Sequence, residues 1–100
     1  VVAVAEFDAV VAAMAVRDIM RTEPTPSIEE ASAQVHERWL SRPNNAYAKG
    51  GELDVPYAQL SVDEKIKDVN QVLAWAVQTA PGRVDEIRRT IDDLRAAGSR

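Results

Sequence analysis

The chain has 100 residues, of which 46% are hydrophobic and 28% are charged, a composition typical of one globular domain and too apolar for a disordered segment. Its net charge is −4, which argues against a nucleic-acid partner because phosphate groups require a basic face. It contains no cysteine, which excludes disulfides, thiolate catalysis and cysteine-ligated metals and fits a reducing cytoplasm.

The first segment predicts an amphipathic helix over about residues 3–21. Apolar residues recur there at three- and four-residue steps, and Pro24 and Pro26 end the helix. Glu6 and Asp8 interrupt the apolar run, so we expect neither a signal peptide nor a membrane-spanning helix, and no membrane partner. The predicted apolar face holds Val4, Phe7, Val10, Val11, Met14 and Ala15.

A second helix is predicted over residues 28–41. Ser27 is its N-cap and Glu30 stands three residues later, which is the pattern of a capping box. Pro43 ends the helix because the residue before a proline avoids the helical region. The face predicted to be apolar holds Ile28, Ala31, Val35 and Trp39.

Residues 42–60 are predicted to form a long ordered loop. Pro43-Asn44-Asn45 and Gly50-Gly51 are turn signals, and a short helical turn is expected near residues 57–60. Lys49-Gly50-Gly51 is not a phosphate-binding loop, since a Walker A motif needs two glycines separated by four residues and followed by Lys and Ser or Thr.

Two further helices are predicted, over residues 62–79 and 84–97. Ser61 and Glu64 form a second candidate capping box, and Asp63 and Lys67 are spaced for an i,i+4 ion pair. The third helix has a broad apolar face and the fourth a narrow one, so the fourth must pack on the first or third helix or on a second chain. These faces hold Val62, Ile66, Val69, Val72, Leu73, Trp75 and Ala76 in the third helix, and Val84, Ile87, Ile91 and Leu94 in the fourth.

The sequence contains no complete set of residues typical of a catalytic site. His36-Glu37 begins like a zinc-protease motif, but the second histidine should stand at position 40, which is Leu40, and no other histidine exists. Glu64 and Asp68 could act as an acid–base pair, yet no nucleophile accompanies them. We therefore predict no catalytic residues, no metal and no cofactor.

One block of the chain resembles the RyR domain, the repeat of ryanodine receptor channels that also occurs as single copies in bacterial and phage proteins. The patterns V-H-E-x-W, V-P-Y-x-x-L and E-K-x-x-D follow one another in the family's order, and the match covers about residues 31–77. The family's Gly-Trp/Tyr-rich loop is missing, and Tyr47 is the one residue there that could replace its aromatic. The matching residues are Val35, His36, Glu37, Trp39, Val55, Pro56, Tyr57, Leu60, Glu64, Lys65 and Asp68.

The resemblance implies a small helical module, of bacterial or phage type, that binds a nucleotide-derived ligand and catalyses no reaction. We predict an all-α domain of about four helices over residues 1–100, with the RyR-like core at about 31–77 and flanking helices at 3–21 and 84–97. In the predicted ligand site, His36 supplies a hydrogen bond, Trp39 and Tyr57 supply stacking surfaces, and Lys65 or Lys67 supplies charge for a phosphate. The predicted ligand-binding residues are His36, Trp39, Tyr57, Lys65 and Asp68.

The sequence leaves two other interpretations of these residues and of the whole chain open. His36, Trp39 and Tyr57 could instead be structural, with His36 bonded to the loop and the two aromatics packed between helices. The chain could also be a protein-interaction or scaffold module that forms a homodimer through its first or fourth helix, because both helices carry more apolar surface than one small core needs.

Overall fold

The computed structural model describes residues 4–41, 50–51 and 53–98, with side chains from residue 10 onward. The fold is all-α, as predicted, and the described part contains no strand. Its helices are α1 (Val4–Met20), α2 (Ile28–Leu40), α3 (Val62–Thr79) and α4 (Val84–Gly98), with short 3₁₀ turns at Tyr57–Gln59 and Pro81–Arg83. Each helix begins and ends within two residues of its predicted bounds. Residues 42–49 and 52 of the predicted loop, which include Tyr47 and Lys49, lie outside the described residues.

Helix α3 is the centre of the bundle, since α1, α2 and α4 all pack against it. Helices α3 and α4 form an antiparallel hairpin, because Gly98 at the end of α4 lies against Val62 at the start of α3. The core is built from the inward faces of all four helices. Its buried residues are Val16, Ile19, Met20, Ile28, Ala31, Val35, Ile66, Val69, Val72, Ala76, Ile87 and Ile91.

The predicted inward face of α1 is wrong at Val10 and Met14, whereas Val11 and Ala15 of that face are half-buried. Met14 and Val10 are 51% and 58% exposed, whereas Val16, Ile19 and Met20 are buried. Val4 and Phe7 have no described side chains. The other three predicted faces are confirmed, because their central residues lie in the core and Val62, Leu73, Trp75, Val84 and Leu94 pack against it.

Helix α2 begins with the predicted capping box. The Ser27 hydroxyl accepts a hydrogen bond from the Glu30 N–H at 3.1 Å, and the Glu30 carboxylate accepts one from the Ser27 N–H at 3.3 Å. Two of the N–H groups left unpaired by the start of the helix are thereby satisfied. This cap fixes the position of α2, which carries His36 and Trp39 two to three turns later.

Helix α3 begins with one of the two hydrogen bonds of the predicted capping box. The Ser61 hydroxyl accepts a hydrogen bond from the Glu64 N–H at 3.3 Å. The Glu64 carboxylate instead accepts a bond from the Lys67 ammonium at 2.9 Å, so Lys67 pairs with Glu64 rather than with Asp63 as predicted. None of the described helices is both long and apolar enough to cross a membrane.

Candidate functional site

The five predicted ligand-binding residues lie on three neighbouring elements. His36 and Trp39 belong to α2, Tyr57 begins the 3₁₀ turn, and Lys65 and Asp68 lie on the first two turns of α3. The 3₁₀ turn packs on α2, and α2 packs on α3. The fold therefore brings together residues that are up to 32 positions apart in sequence, and we call these five residues the α2–α3 cluster.

His36 joins the elements of the cluster to one another. It is 3% exposed, and its Nε2 donates a hydrogen bond of 2.7 Å to the backbone carbonyl of Val55. On the other side of the ring, Nδ1 lies 3.8 Å from Oδ2 of Asp68. Both ring nitrogens thus face groups of the chain itself. This geometry agrees with the alternative in which His36 bonds to the loop. His36 would then affect a ligand indirectly, by positioning the segment at Val55 and the carboxyl of Asp68.

Trp39 stacks on His36. The two ring centroids are 5.9 Å apart and the ring planes are inclined by 23°. Trp39 is half-buried, and the residues three and four positions before it on α2 are His36 and Val35, which are both buried. Trp39 is therefore partly exposed, and a stacking surface for a second ring requires such partial exposure.

The Tyr57 hydroxyl is the unusual polar group of the cluster. Tyr57 is 8% exposed, and its buried hydroxyl has no hydrogen-bond partner among the described residues. The pKa of Tyr57 is raised to about 12, mainly by burial and in smaller part by the carboxylates of Glu29 and Asp68. Native folds rarely leave a buried hydroxyl unpaired, and those that do usually offer it to a water molecule or a ligand.

Lys65 covers the ring of Tyr57. Its ammonium lies 5.5 Å from the ring centroid, a cation–π distance. Lys67, the other lysine proposed for a phosphate, is exposed and bonded to Glu64. Of the two, Lys65 is the one whose charge lies on the cluster.

Asp68 is a largely enclosed carboxyl group, with 16% of its side chain exposed. Burial raises the pKa of Asp68 to about 6, and Glu64 also raises it, whereas the charges of His36 and Lys67 act in the opposite direction. Because Glu64 is bonded to Lys67, the pair of Glu64 and Asp68 is not arranged as two free carboxyls around a substrate. Within the described residues, no three His, Asp or Glu side chains are grouped as metal ligands.

Sequence reasoning did not identify Glu29 as part of this region. It placed the segment from Val55 to Tyr57 at the site and allowed a bond from His36 to the loop, but it did not identify the Val55 carbonyl as the partner. Glu29 stands seven residues before His36, so the two lie two turns apart along α2, and that spacing was the available signal. The Val55 carbonyl is a backbone group and leaves no signal in the sequence, because every residue has one.

No protein-family profile, curated protein or solved structure matches this chain. The resemblance to the RyR domain therefore rests on the order and spacing of the quoted residues alone.

A separate groove of about 430 Å³ lies between the start of α2 and the outer part of α4. Its lining contains none of the five residues of the α2–α3 cluster. The lining residues are Ser27, Ile28, Glu29, Glu86, Thr90, Asp93, Leu94 and Ala97. Glu86, one of these lining residues, is paired with Arg83. The buried hydroxyl without a described partner, that of Tyr57, does not line this groove, so the groove is a mixed polar and apolar surface.

Proposed function

We propose that this chain is a non-enzymatic, RyR-like binding module that recognises a small nucleotide-derived ligand at the α2–α3 cluster. The observation that carries the proposal is the buried Tyr57 hydroxyl without a partner among the described residues. A ligand that offers it a hydrogen-bond acceptor regains about 1–3 kcal/mol of desolvation cost. The RyR-like order of the surrounding residues supports the same site.

The chemistry of the neighbouring groups favours a ligand with a ring and an anionic group. The half-buried indole of Trp39 provides a stacking face, and base–aromatic stacking contributes about 1–3 kcal/mol. The Lys65 ammonium over the Tyr57 ring provides a positive charge for a phosphate. Asp68 provides an acceptor for an amino or hydroxyl group of the base or ribose.

A thermal-shift panel of mono-, di- and cyclic nucleotides tests this proposal. A nucleotide at 100 times its Kd stabilises the folded chain by about 2.7 kcal/mol, which is a shift of several degrees in Tm. We expect Trp39→Ala and Lys65→Gln each to weaken the binding at least tenfold. Arg88→Gln, which removes one positive charge from the exposed face of α4, is the matched control and should leave affinity within twofold. A panel in which no nucleotide raises the wild-type Tm would overturn the proposal.

The second candidate function is a protein-interaction module that forms a homodimer through α1. Val10 and Met14, one helical turn apart on α1, are 58% and 51% exposed, and no charged residue stands between them. The narrow stripe of α4 favours this function less, because Ile87 and Ile91 are buried inside the same chain. The test of this candidate is the oligomeric state of the chain in solution.

A further inference from the structure

The exposed side of α1 carries two apolar and two basic residues in one line. They recur at steps of four, three and four residues, so they share one face of the helix. The Arg21 N–H bonds to the Arg17 carbonyl at 3.2 Å, which continues the helical spacing past the end of α1. All four side chains are exposed. We call these residues the α1 stripe: Val10, Met14, Arg17 and Arg21.

The groove between α2 and α4 has the opposite charge. Its described lining contains three carboxylates and no basic residue. Glu86 has an ion-pair partner, whereas none of the described ion pairs includes Glu29 or Asp93. Leu94 and Ala97 add apolar surface beside these carboxylates. We call this groove the acidic groove, and a partner that fits it must bring both positive charge and apolar side chains.

The order of residues in the acidic groove matches the α1 stripe when the two helices run antiparallel. Along α1, the apolar pair precedes the basic pair. Along α4, the carboxylates precede the apolar residues, in the order Glu86, Asp93, Leu94 and Ala97. Residues 10–21 and residues 86–97 each extend about 16 Å along their helices. In an antiparallel contact the arginines therefore lie towards the carboxylates, and the apolar pair lies towards the apolar end of the groove.

We propose that the α1 stripe of one molecule docks in the acidic groove of a second copy of this chain. The stripe is exposed in its own chain, so it does not fill the groove of the molecule that carries it. Because the two contacting surfaces differ, the contact is head-to-tail. Such contacts close into a ring, of which the smallest is a reciprocal dimer, or continue as an open filament.

Direct pairing of two α1 stripes is the competing arrangement. Parallel stripes would place arginine opposite arginine, which is unfavourable, and antiparallel stripes would place each arginine pair against an apolar pair. Asp18 flanks the stripe and lies 3.5 Å from Arg17, but both side chains are about half exposed, and such a surface pair contributes little. The acidic groove complements both parts of the stripe. This inference rests on the interaction candidate above and is independent of the nucleotide site.

Reversing the charges on each surface tests the docking. The stripe variant carries Arg17→Glu and Arg21→Glu, and the groove variant carries Glu29→Lys and Asp93→Lys, all at exposed positions. We expect each variant alone to associate about tenfold or more weakly than the wild type, because like charges then meet across the contact. An equimolar mixture should associate about as tightly as the wild type, since each stripe again meets a groove of opposite charge. Sedimentation velocity measures the association.

The matched control for the groove variant is the double variant Asp63→Lys, Asp92→Lys. Like the groove variant, it reverses one carboxylate in the first turn of a helix and one on α4. Neither Asp63 nor Asp92 lines the acidic groove. We therefore expect this control to associate as tightly as the wild type.

A dilution series of the wild type does not depend on any variant folding. In nitrogen-15 NMR spectra, the amide signals of Met14, Leu94 and Ala97 should shift with protein concentration, because these residues lie in the two contacting surfaces. The signal of Val77 should stay constant, since Val77 is 57% exposed but lies on α3, outside both surfaces.

Three results would overturn the docking of the α1 stripe in the acidic groove. They are a groove variant that associates as tightly as the wild type, a mixture of the two variants that stays monomeric, and signals of Leu94 and Ala97 that do not change on dilution. The first result leaves pairing through α1 alone standing. A wild type that is monomeric at high micromolar concentration overturns this inference together with the interaction candidate, whereas the nucleotide panel tests the α2–α3 cluster separately.

Discussion

Tyr57 places a phenol hydroxyl where it is buried and has no hydrogen-bond partner among the described residues. Phenylalanine would fill the same space without that polar group. The substitution Tyr57→Phe therefore removes a buried donor that no described residue pairs with, and the expected effect on stability is opposite to the usual effect of changing a buried residue.

We predict that Tyr57→Phe raises the free energy of unfolding by about 1 kcal/mol, which corresponds to roughly 4–8 °C in Tm. The same variant should lose affinity for any nucleotide that stabilises the wild type, because the donor to the ligand is gone. Urea unfolding of both proteins measures the first effect, and the thermal-shift panel measures the second. A variant that is less stable than the wild type would mean that the hydroxyl already has a partner in the folded chain.

Individual contacts show where sequence patterns suffice and where they do not. The Ser27–Glu30 box was predictable because both bonds join residues three positions apart in one helix. The partner of Lys67 was not, because Asp63 and Glu64 both lie within its reach on the helix and the sequence does not choose between them. The hydrogen bond of His36 to Val55 crosses 19 positions, and only the packing of the 3₁₀ turn on α2 brings it about.

At the scale of helices, the sequence predicted the existence and bounds of all four, and the inward faces of α2, α3 and α4. On α1 the prediction was wrong at Val10 and Met14, and it left out the buried Val16, Ile19 and Met20. The segment from Ala9 to Val16 contains no polar residue, so no polar face marks the side that points away from the core. Packing against α2 and α3 makes the choice instead, and it buries Val16, Ile19 and Met20.

The α3–α4 hairpin depends on a close approach at its open end. A Cβ atom added to Gly98 would lie 2.5 Å from Cγ2 of Val62. Valine is short and stiff about χ1, so it cannot easily move aside. The end of α4 can therefore approach the first residue of α3 this closely because position 98 is a glycine.

We predict that Gly98→Ala lowers the free energy of unfolding by about 1 kcal/mol, since overpacking exceeds the gain in helix propensity. In a Val62→Ala background the same change should be neutral or stabilising, because the obstructing methyl groups are gone. A double-mutant cycle measured by chemical denaturation gives the coupling between the two positions. Equal effects of Gly98→Ala in both backgrounds would contradict the contact.

On the scale of the whole molecule, the exposed side of α1 bears on self-association. Val10 and Met14 are the exposed large apolar side chains described on this helix, and their exposure is not explained by packing within the chain. If α1 pairs with a second copy of the chain, replacing Val10 and Met14 by polar residues would remove the apolar contact between the two copies. The core of each copy would not change, because neither side chain belongs to it.

We predict that the double variant Val10→Gln, Met14→Gln is monomeric at concentrations where the wild type is a dimer. Its free energy of unfolding per chain, measured at high dilution, should be within about 0.5 kcal/mol of the wild type, because both positions face away from the core. Light scattering after gel filtration gives the mass of each species. Val77→Gln is the control, since Val77 is 57% exposed but lies on α3. A wild type that elutes as a monomer at high micromolar concentration would remove this second candidate function.

The stack of His36 on Trp39 makes the molecule its own optical reporter. The ring centroids are 5.9 Å apart, and the imidazole is held in place by its hydrogen bond to the Val55 carbonyl. A movement of the 3₁₀ turn away from α2 would release the imidazole and change the surroundings of the indole. In a chain where Trp75 is replaced by Phe, Trp39 is the one remaining tryptophan, and its fluorescence would report whether the 3₁₀ turn is docked on α2.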